Sequence, residues 1–452
     1  MTQDELLAHA ARLNLPADAL KVYLDAGQGI LAEGVARRMY AMVKTVGSAC
    51  NLDCTYCYYL SKEQLLHQKS RRMADDVLAR YIENYIASQD GDEVVFSWHG
   101  GEPTLLGVAY FERVVELQRQ FARPGLRIEN DLQTNGTLLD DAWCAFFKRN
   151  NFEIGLSIDG PRDVHEAFRP DKQGASTFDA VVAGARLLKQ HGVPFNTLTV
   201  INRQNARRPI DVYRFLRDEL GSTRMQFIPC VQPRDFKDTA TGRWSQSTLP
   251  LAGSPRARPD HPMSVVTEWS VDPEDWGYFL SRVFDEWSSR DQQRVQVNLF
   301  QTAIAQTLGQ PSMLCTSSPV CGKNVAVEHD GTVYACDHYV YPEHELGNIR
   351  DKSMAEMVFS LQQLEFGLDK KNSLPSECKS CRHLNLCWGE CPRTRLLRTR
   401  EGEGNLSYLC AGWKRFYDHA TPTIRQIAKQ HLARRAQPVH FAPLAARTTQ
   451  HA

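Results

Sequence analysis

From about residue 39 the chain alternates short apolar runs with amphipathic stretches. The runs at 39–45, 94–98, 127–132, 153–158, 195–200 and 225–229 have the length and composition of strands. Between them, the stretches 75–87, 110–121, 140–148, 178–190 and 210–220 carry a helical period. Strand-then-helix repetition at this spacing predicts a parallel sheet with right-handed crossovers. Six such units predict an α/β fold, an open partial (β/α)6 barrel. In such a fold the chemistry sits on the loops that follow the strands.

The flanks follow other rhythms. Leu6, Leu7, Ala10 and Leu13, then Leu20, Val22 and Tyr23, predict a small helical extension over 1–38. The stretch 234–272 is rich in Pro, Ser, Thr and Arg and reads as a long loop, placed to fold over the site. Helix returns after Asp272, a good N-cap with Pro273 at the first helical position. From Cys315 the chain is rich in cysteine, and a last helix is predicted at about 422–435, before a loose polar tail. The expected organisation is an extension (1–38), the partial barrel (39–233), a loop and helical linker (234–310), a cysteine-rich domain (311–420), and a C-terminal helix and tail (421–452).

Composition narrows the function. Lys+Arg and Asp+Glu are both 53 in 452 residues, so charge points to neither nucleic acid nor membrane. No run of 18 apolar residues exists, and the acidic, amphipathic N-terminus lacks the order of a signal peptide. The expected location is cytoplasmic. Thirteen cysteines in such a chain point to metal or redox work rather than a disulfide framework.

Cys50, Cys54 and Cys57 are spaced C-x3-C-x2-C. Three thiolates this close can wrap one face of a four-iron cube and leave one iron open to a small chelating molecule. The competing reading is a zinc knuckle, which favours C-x2-C pairs and a closed set of four ligands; no fourth ligand lies nearby. His99-Gly100-Gly101-Glu102-Pro103 follows the second strand, where two glycines permit close backbone approach and a carboxylate can hold an amine. An ordinary tight turn is the alternative. Asn135 follows the third strand, Ser157 and Asp159 close the fourth, and Arg169 and Asn202 are further polar candidates. Cys315, Cys321, Cys336, Cys378, Cys381, Cys387, Cys391 and Cys410 can close two four-iron clusters or two zinc sites. Cys144 and Cys230 read as core or wall.

With Tyr56 before Cys57 and Tyr59 two residues after it, the triad resembles the radical SAM superfamily. That resemblance implies a [4Fe-4S] cluster that reduces S-adenosylmethionine to a hydrogen-abstracting 5′-deoxyadenosyl radical. It also implies cofactor contacts from Tyr59, Gly100, Gly101, Glu102, Asn135 and Ser157. The eight later cysteines match the SPASM extension. By that resemblance Cys315, Cys321, Cys336 and Cys391 hold one auxiliary [4Fe-4S] cluster, and Cys378, Cys381, Cys387 and Cys410 hold another, three clusters in all.

Over about 39–435, segments such as QFIPCVQP, CGKNVAVEHDGTVYACDHYVYPEHELGNI, CKSCRHLNLCWGECPRTR and YLCAGWKRFYDH look like the anaerobic sulfatase-maturating enzymes. The resemblance implies oxidation of a Cys or Ser in a C/S-x-P-x-R motif of an unfolded sulfatase polypeptide to Cα-formylglycine. It implies a low-potential electron donor such as flavodoxin or ferredoxin, and Asp337, beside Cys336, as the base. His99 and Gln232 depart from that family's pattern, which often has Gln and an acidic residue there. Two other readings stay open: a SPASM maturase that modifies or crosslinks a ribosomal precursor peptide, and a non-catalytic iron–sulfur electron carrier. The first often carries a winged helix of roughly eighty residues, for which 38 are too few. The second has no need of Glu102, Ser157 or Asp337.

Overall fold

The computed structural model describes residues 1–34, 36–60, 62, 72–235 and 248–436. Ten strands form one sheet in the order β10-β9-β8-β1-β2-β3-β4-β5-β6-β7. The first six are β1 (Tyr40–Lys44), β2 (Glu93–His99), β3 (Arg127–Thr134), β4 (Phe152–Ser157), β5 (Phe195–Ile201) and β6 (Arg224–Pro229), each parallel to the next. They are the six predicted strands, within two residues at each end. Alternation drives them inward: Val94, Phe96 and Trp98 of β2 are all buried, and Phe96 stacks on Trp98 at 5.8 Å.

The sheet does not stop where the barrel was expected to. β7 (Gln296–Val297) continues it beyond β6, from within the stretch read as linker. β8 (Asn324–Glu328) pairs in parallel with the far side of β1, and β9 (Thr332–Tyr334) and β10 (Glu345–Asn348) add an antiparallel ribbon. The cysteine-rich region is thus sewn to the barrel through β1. Both its strand β8 and the barrel strands point their carboxyl ends at one edge.

The predicted helices form at Asp75–Ala87, Val108–Phe121, Asp141–Arg149 and Phe178–Gln190. The fifth becomes a short helix, Pro209–Arg214, running into a π turn, Phe215–Glu219. Asp272 caps the helix Pro273–Arg290 by accepting from Glu274 N at 2.9 Å. The last helix starts twelve residues earlier than predicted and spans Cys410–Ala436, with Pro422 inside it. A proline marks a helix start because it lacks an N–H. Here packing carries the helix through: a Cβ on Gly412 would stand 2.1 Å from Pro273 O, so the two helices touch backbone to backbone, and Phe416, Ala420 and Ile424 are buried.

At the N-terminus, Gln3–Leu13 and Ala17–Gly27 form two helices. Leu6, Ala10, Leu13 and Leu20 pack against Leu368, whereas Leu7 is 49% exposed. Residues 248–272 are not a free loop. Val266, Ser270 and Val271 are fully buried, and bridges join Pro233 to Val266 and Leu251 to Arg398. The polar tail from 437 lies outside the described residues. No described helix is long and apolar enough to cross a membrane.

Candidate active site at the carboxyl edge of the sheet

Lys44 ends β1, and the loop bearing Cys50, Cys54 and Cys57 follows. It is held from two sides. Asp53 N donates to Pro170 O and Thr55 N to Phe168 O, both at 3.0 Å. Opposite, Gly101 N donates to Gly47 O and Glu102 N to Ala49 O, both at 2.8 Å. A Cβ on Gly101 would stand 1.9 Å from Ala49 O, so glycine is demanded by the cysteine loop itself. Behind the loop, Arg169 Nη1 donates to Tyr56 Oη at 2.9 Å, and Tyr56 donates to Asp159 Oδ2 at 2.6 Å. Burial pushes the thiol of Cys50 up to about 11 and that of Cys54 to about 12; Arg169, 6% exposed, opposes this at both. Thiolates in this loop therefore call for a cation at the site, as an iron cluster supplies.

Glu102 is fully buried and turned inward. Its Oε1 accepts from Thr104 N (3.0 Å), Thr104 Oγ1 (2.6 Å) and Thr134 Oγ1 (2.7 Å), and its Oε2 accepts from Asn135 N (2.7 Å). Only Oε2 keeps room for a further donor, so one carboxylate oxygen is what Glu102 can offer an amine. Asn135 ties the same loops together, donating from Nδ2 to Asn51 Oδ1 at 2.8 Å and approaching Cys50 Sγ at 3.8 Å. Ser157 ends β4 on this edge and is half-buried. The structure thus gathers Gly100, Gly101, Glu102 and Asn135 around the cysteine loop.

A second group of side chains stands over β1. His99, Lys44 and Glu328 end three adjacent strands in mutual register. Lys44, 3% exposed, forms an ion pair with Asp337. Tyr58 Oη donates to the other oxygen of Asp337, and Tyr59 Oη donates to Glu328. The Lys44 ammonium lies 4.6 Å from the Tyr59 ring centre. Burial pushes the Asp337 carboxyl up, but Lys44, His338 and His99 together more than reverse this and hold it well below the usual carboxylate range. Burial, then Lys44, pulls His99 down to about 3, so its ring is neutral at pH 7. Asp337 is therefore an ionised carboxylate, one peptide bond from Cys336 and on the strand edge that carries the triad. Gln232 is buried and takes a hydrogen bond from Arg393, whose guanidinium lies 5.0 Å from the Tyr58 ring centre.

The eight later cysteines fall into two fours. Cys378, Cys381, Cys387 and Cys410 line one cavity with His383, Trp413 and Tyr417. Cys336 is pushed up by burial and by Cys391 and Cys315; Cys391 lies close to Cys321 as well. Cys387 and Cys391 belong to different fours. Between them Trp388, Gly389 and Glu390 all have left-handed φ, 48°, 67° and 57°. The two non-glycine residues cost about 1–2 kcal/mol each, and the turn they make separates the two thiols. Among the described residues, no three His, Cys, Asp or Glu converge closely enough for one metal ion. Zinc needs four donors at ~2.0–2.3 Å from one centre. Thiols around a cavity suit a wider body, such as an iron–sulfur cube.

Sequence reasoning missed Lys44, Tyr58, Glu328 and Arg393. Lys44 left one signal, a lysine closing the apolar strand YAMVK ahead of the cysteines. The other three find their partners across more than 150 residues and left none.

Residues 45–216 match the radical SAM superfamily, and residues 315–382 match an iron–sulfur cluster-binding domain named SPASM. A serine-type anaerobic sulfatase-maturating enzyme of Bacteroides thetaiotaomicron is 40% identical over 396 residues, 87% of this chain and 92% of that protein. A cysteine-type anaerobic sulfatase-maturating enzyme of Clostridium perfringens is 34% identical over 390 residues, 86% of this chain and 97% of that protein. The solved structure of native anSMEcpe with bound AdoMet and Kp18Cys peptide superposes with a TM-score of 0.73 at 33% identity, covering 86% of this chain and 99% of that one. A cysteine triad beside a glycine loop, a SPASM region joined to the same sheet, and this likeness over most of the chain lead to one family: the chain belongs to the anaerobic sulfatase-maturating enzymes, radical SAM oxidoreductases.

Proposed function

We propose that this enzyme oxidises one Cys or Ser side chain of a sulfatase polypeptide, within a C/S-x-P-x-R motif, to Cα-formylglycine. The observation that carries the reading is Asp337, an ionised carboxylate fixed by Lys44 and Tyr58 and bonded to Cys336. Relatives named as serine-type and cysteine-type maturases support the two target residues. An AdoMet- and peptide-bound relative supports a peptide substrate. The polypeptide is taken unfolded, since the target side chain must reach the buried edge of the sheet.

The reaction removes one hydrogen atom from the target Cβ, one proton from its sulfur or oxygen, and one electron. Ser then yields the aldehyde directly, and Cys yields a thioaldehyde that water hydrolyses with release of hydrogen sulfide. Cys50, Cys54 and Cys57 would hold one cluster, and the two fours of cysteines would hold two more, three in all. Bound S-adenosylmethionine and the clusters supply the radical that takes the hydrogen atom and the acceptor for the electron. Gly100, Gly101, Glu102, Asn135, Ser157 and Tyr59 would contact S-adenosylmethionine, Glu102 through its Oε2 while its Oε1 braces the loops. Asp337 takes the proton at its carboxylate; Lys44 keeps that carboxylate ionised, and Tyr58 fixes its orientation. The electron that starts turnover comes from a low-potential flavodoxin or ferredoxin.

The test is anaerobic. Reconstituted enzyme, reductant and S-adenosylmethionine are mixed with peptides carrying C-x-P-x-R or S-x-P-x-R, and mass spectrometry reads the products. An aldehyde formed together with 5′-deoxyadenosine supports the reading. Deoxyadenosine with no change in either peptide would overturn it.

A further inference from the structure

The helix Leu361–Asn372 turns one face, Gln363, Gly367 and Lys370, toward the loop that carries Cys315 and Cys321. Gln363 Nε2 donates to Gly322 O at 2.8 Å, and Cys321 N donates to Gly367 O at 3.2 Å. A Cβ on Gly367 would stand 2.4 Å from Cys321 O, so helix and loop are in backbone contact. Lys370 completes the face. It is 1% exposed, and its ammonium donates to Thr316 O at 2.9 Å and to Ser318 O. Among the described residues no carboxylate forms an ion pair with it. The nearest buried carboxylate, Glu390, accepts from Thr394 and Ser407 instead of pairing with it. A buried ammonium whose own hydrogen bonds go to carbonyls is costly, and points to a further anion beside it. Thr316 and Ser318 lie between Cys315 and Cys321, so the ammonium sits on the very loop that carries both thiols.

The second four of cysteines has no buried cation of its own, only one shared with the first. Lys414, near Cys410, is half-exposed and is answered by Glu377 at 2.6 Å. Arg395 lies between the two sets, its guanidinium held by the carbonyls of Gly389, Trp388 and Glu390. The asymmetric charge is Lys370.

We propose that Lys370 is the buried counter-ion of the cluster held by Cys315, Cys321, Cys336 and Cys391, and that it makes this the more easily reduced of the two auxiliary clusters. The inference rests on the cluster assignment under Proposed function. Four thiolates make such a cluster anionic, and each added electron deepens that charge, so a fixed cation favours the reduced form. The cluster would take up the one electron that the substrate radical loses, and an external acceptor of the flavodoxin or ferredoxin class would later remove it. Lys370 touches neither substrate nor reacting atoms; it is a positioning residue that acts through the cluster.

The experiment compares wild type, Lys370→Met and Lys370→Arg as reconstituted holoenzymes. Iron content is measured, and the midpoint potential of each cluster is followed by electron paramagnetic resonance during redox titration. Wild-type iron for three clusters tests the assignment on its own; fewer would defeat that reading before the lysine is considered. With the assignment standing, the methionine variant shifts one midpoint to more negative potential, the arginine variant restores it, and the other two midpoints stay. Loss of one cluster in the methionine variant alone also supports the charge. Unmoved midpoints with full iron in the methionine variant, or equal loss of a cluster in both variants, would overturn the proposal.

Discussion

The two fours of cysteines use the same ligand type in opposite surroundings. The first contributes Cys336, which leads straight into Asp337, Lys44 and Tyr58 at the sheet edge, and it packs on buried Lys370. The second lies away from that edge, walled by Trp413 and Tyr417 and rooted in the long helix that begins at Cys410. Its nearby lysine is already neutralised by Glu377. The strand pair β1–β8 explains the difference, since it welds only the first set to the barrel. One set is joined to Asp337, the carboxylate proposed as the base, and the other is set apart from it. Sequence spacing treats them alike; environment gives them different work.

The comparison breaks most sharply under cysteine removal. Cys336→Ala should abolish aldehyde formation, because it disturbs cluster and base together. Cys378→Ala should leave 5′-deoxyadenosine formation intact. Both should lower iron by about four atoms per chain, read by iron and product analysis side by side. Cys378→Ala losing as much aldehyde as Cys336→Ala would erase the distinction. Lys44→Met comes next. It removes a charged partner of Asp337 worth about 1.5–3 kcal/mol, so aldehyde formation should slow about 10- to 100-fold, with iron content unchanged. A rate within twofold of wild type would detach Lys44 from the chemistry. The smallest effect on catalysis belongs to the N-terminal helices. Leu20→Ala, at a fully buried position, should destabilise that hairpin by about 2–5 kcal/mol, seen as faster hydrogen exchange over its two helices. The aldehyde yield should stay the same.

Much of this was readable in the sequence, for a physical reason. Strands such as Phe195–Ile201 and helices such as Phe178–Gln190 announce themselves because local period and burial agree. The cysteines announce themselves because ligand spacing is a local property. Lys370 was not legible: Lys371 beside it is an ordinary residue of a polar helix end, and only the fold separates them. Asp337 could be named but not its charge state, which depends on Lys44, almost three hundred residues away. Glu102 could be read as facing a ligand, but not its three protein partners, Thr104, Thr134 and Asn135, which depend on the fold. The early start of the last helix was hidden because Pro422 mimics a beginning. Local chemistry is written locally, whereas the electrostatics of a site is written by whatever the topology brings beside it.

The central claim is that Asp337 accepts the proton while the first auxiliary set stands next to it. Its most direct test is a single-turnover anaerobic reaction of wild type and Asp337→Asn with the C-x-P-x-R peptide, measuring 5′-deoxyadenosine and aldehyde in the same sample. The account predicts that wild type forms both in equal amounts. It predicts that the variant forms deoxyadenosine while aldehyde falls by about 10²- to 10⁴-fold. Aldehyde at the wild-type rate in the variant would contradict it.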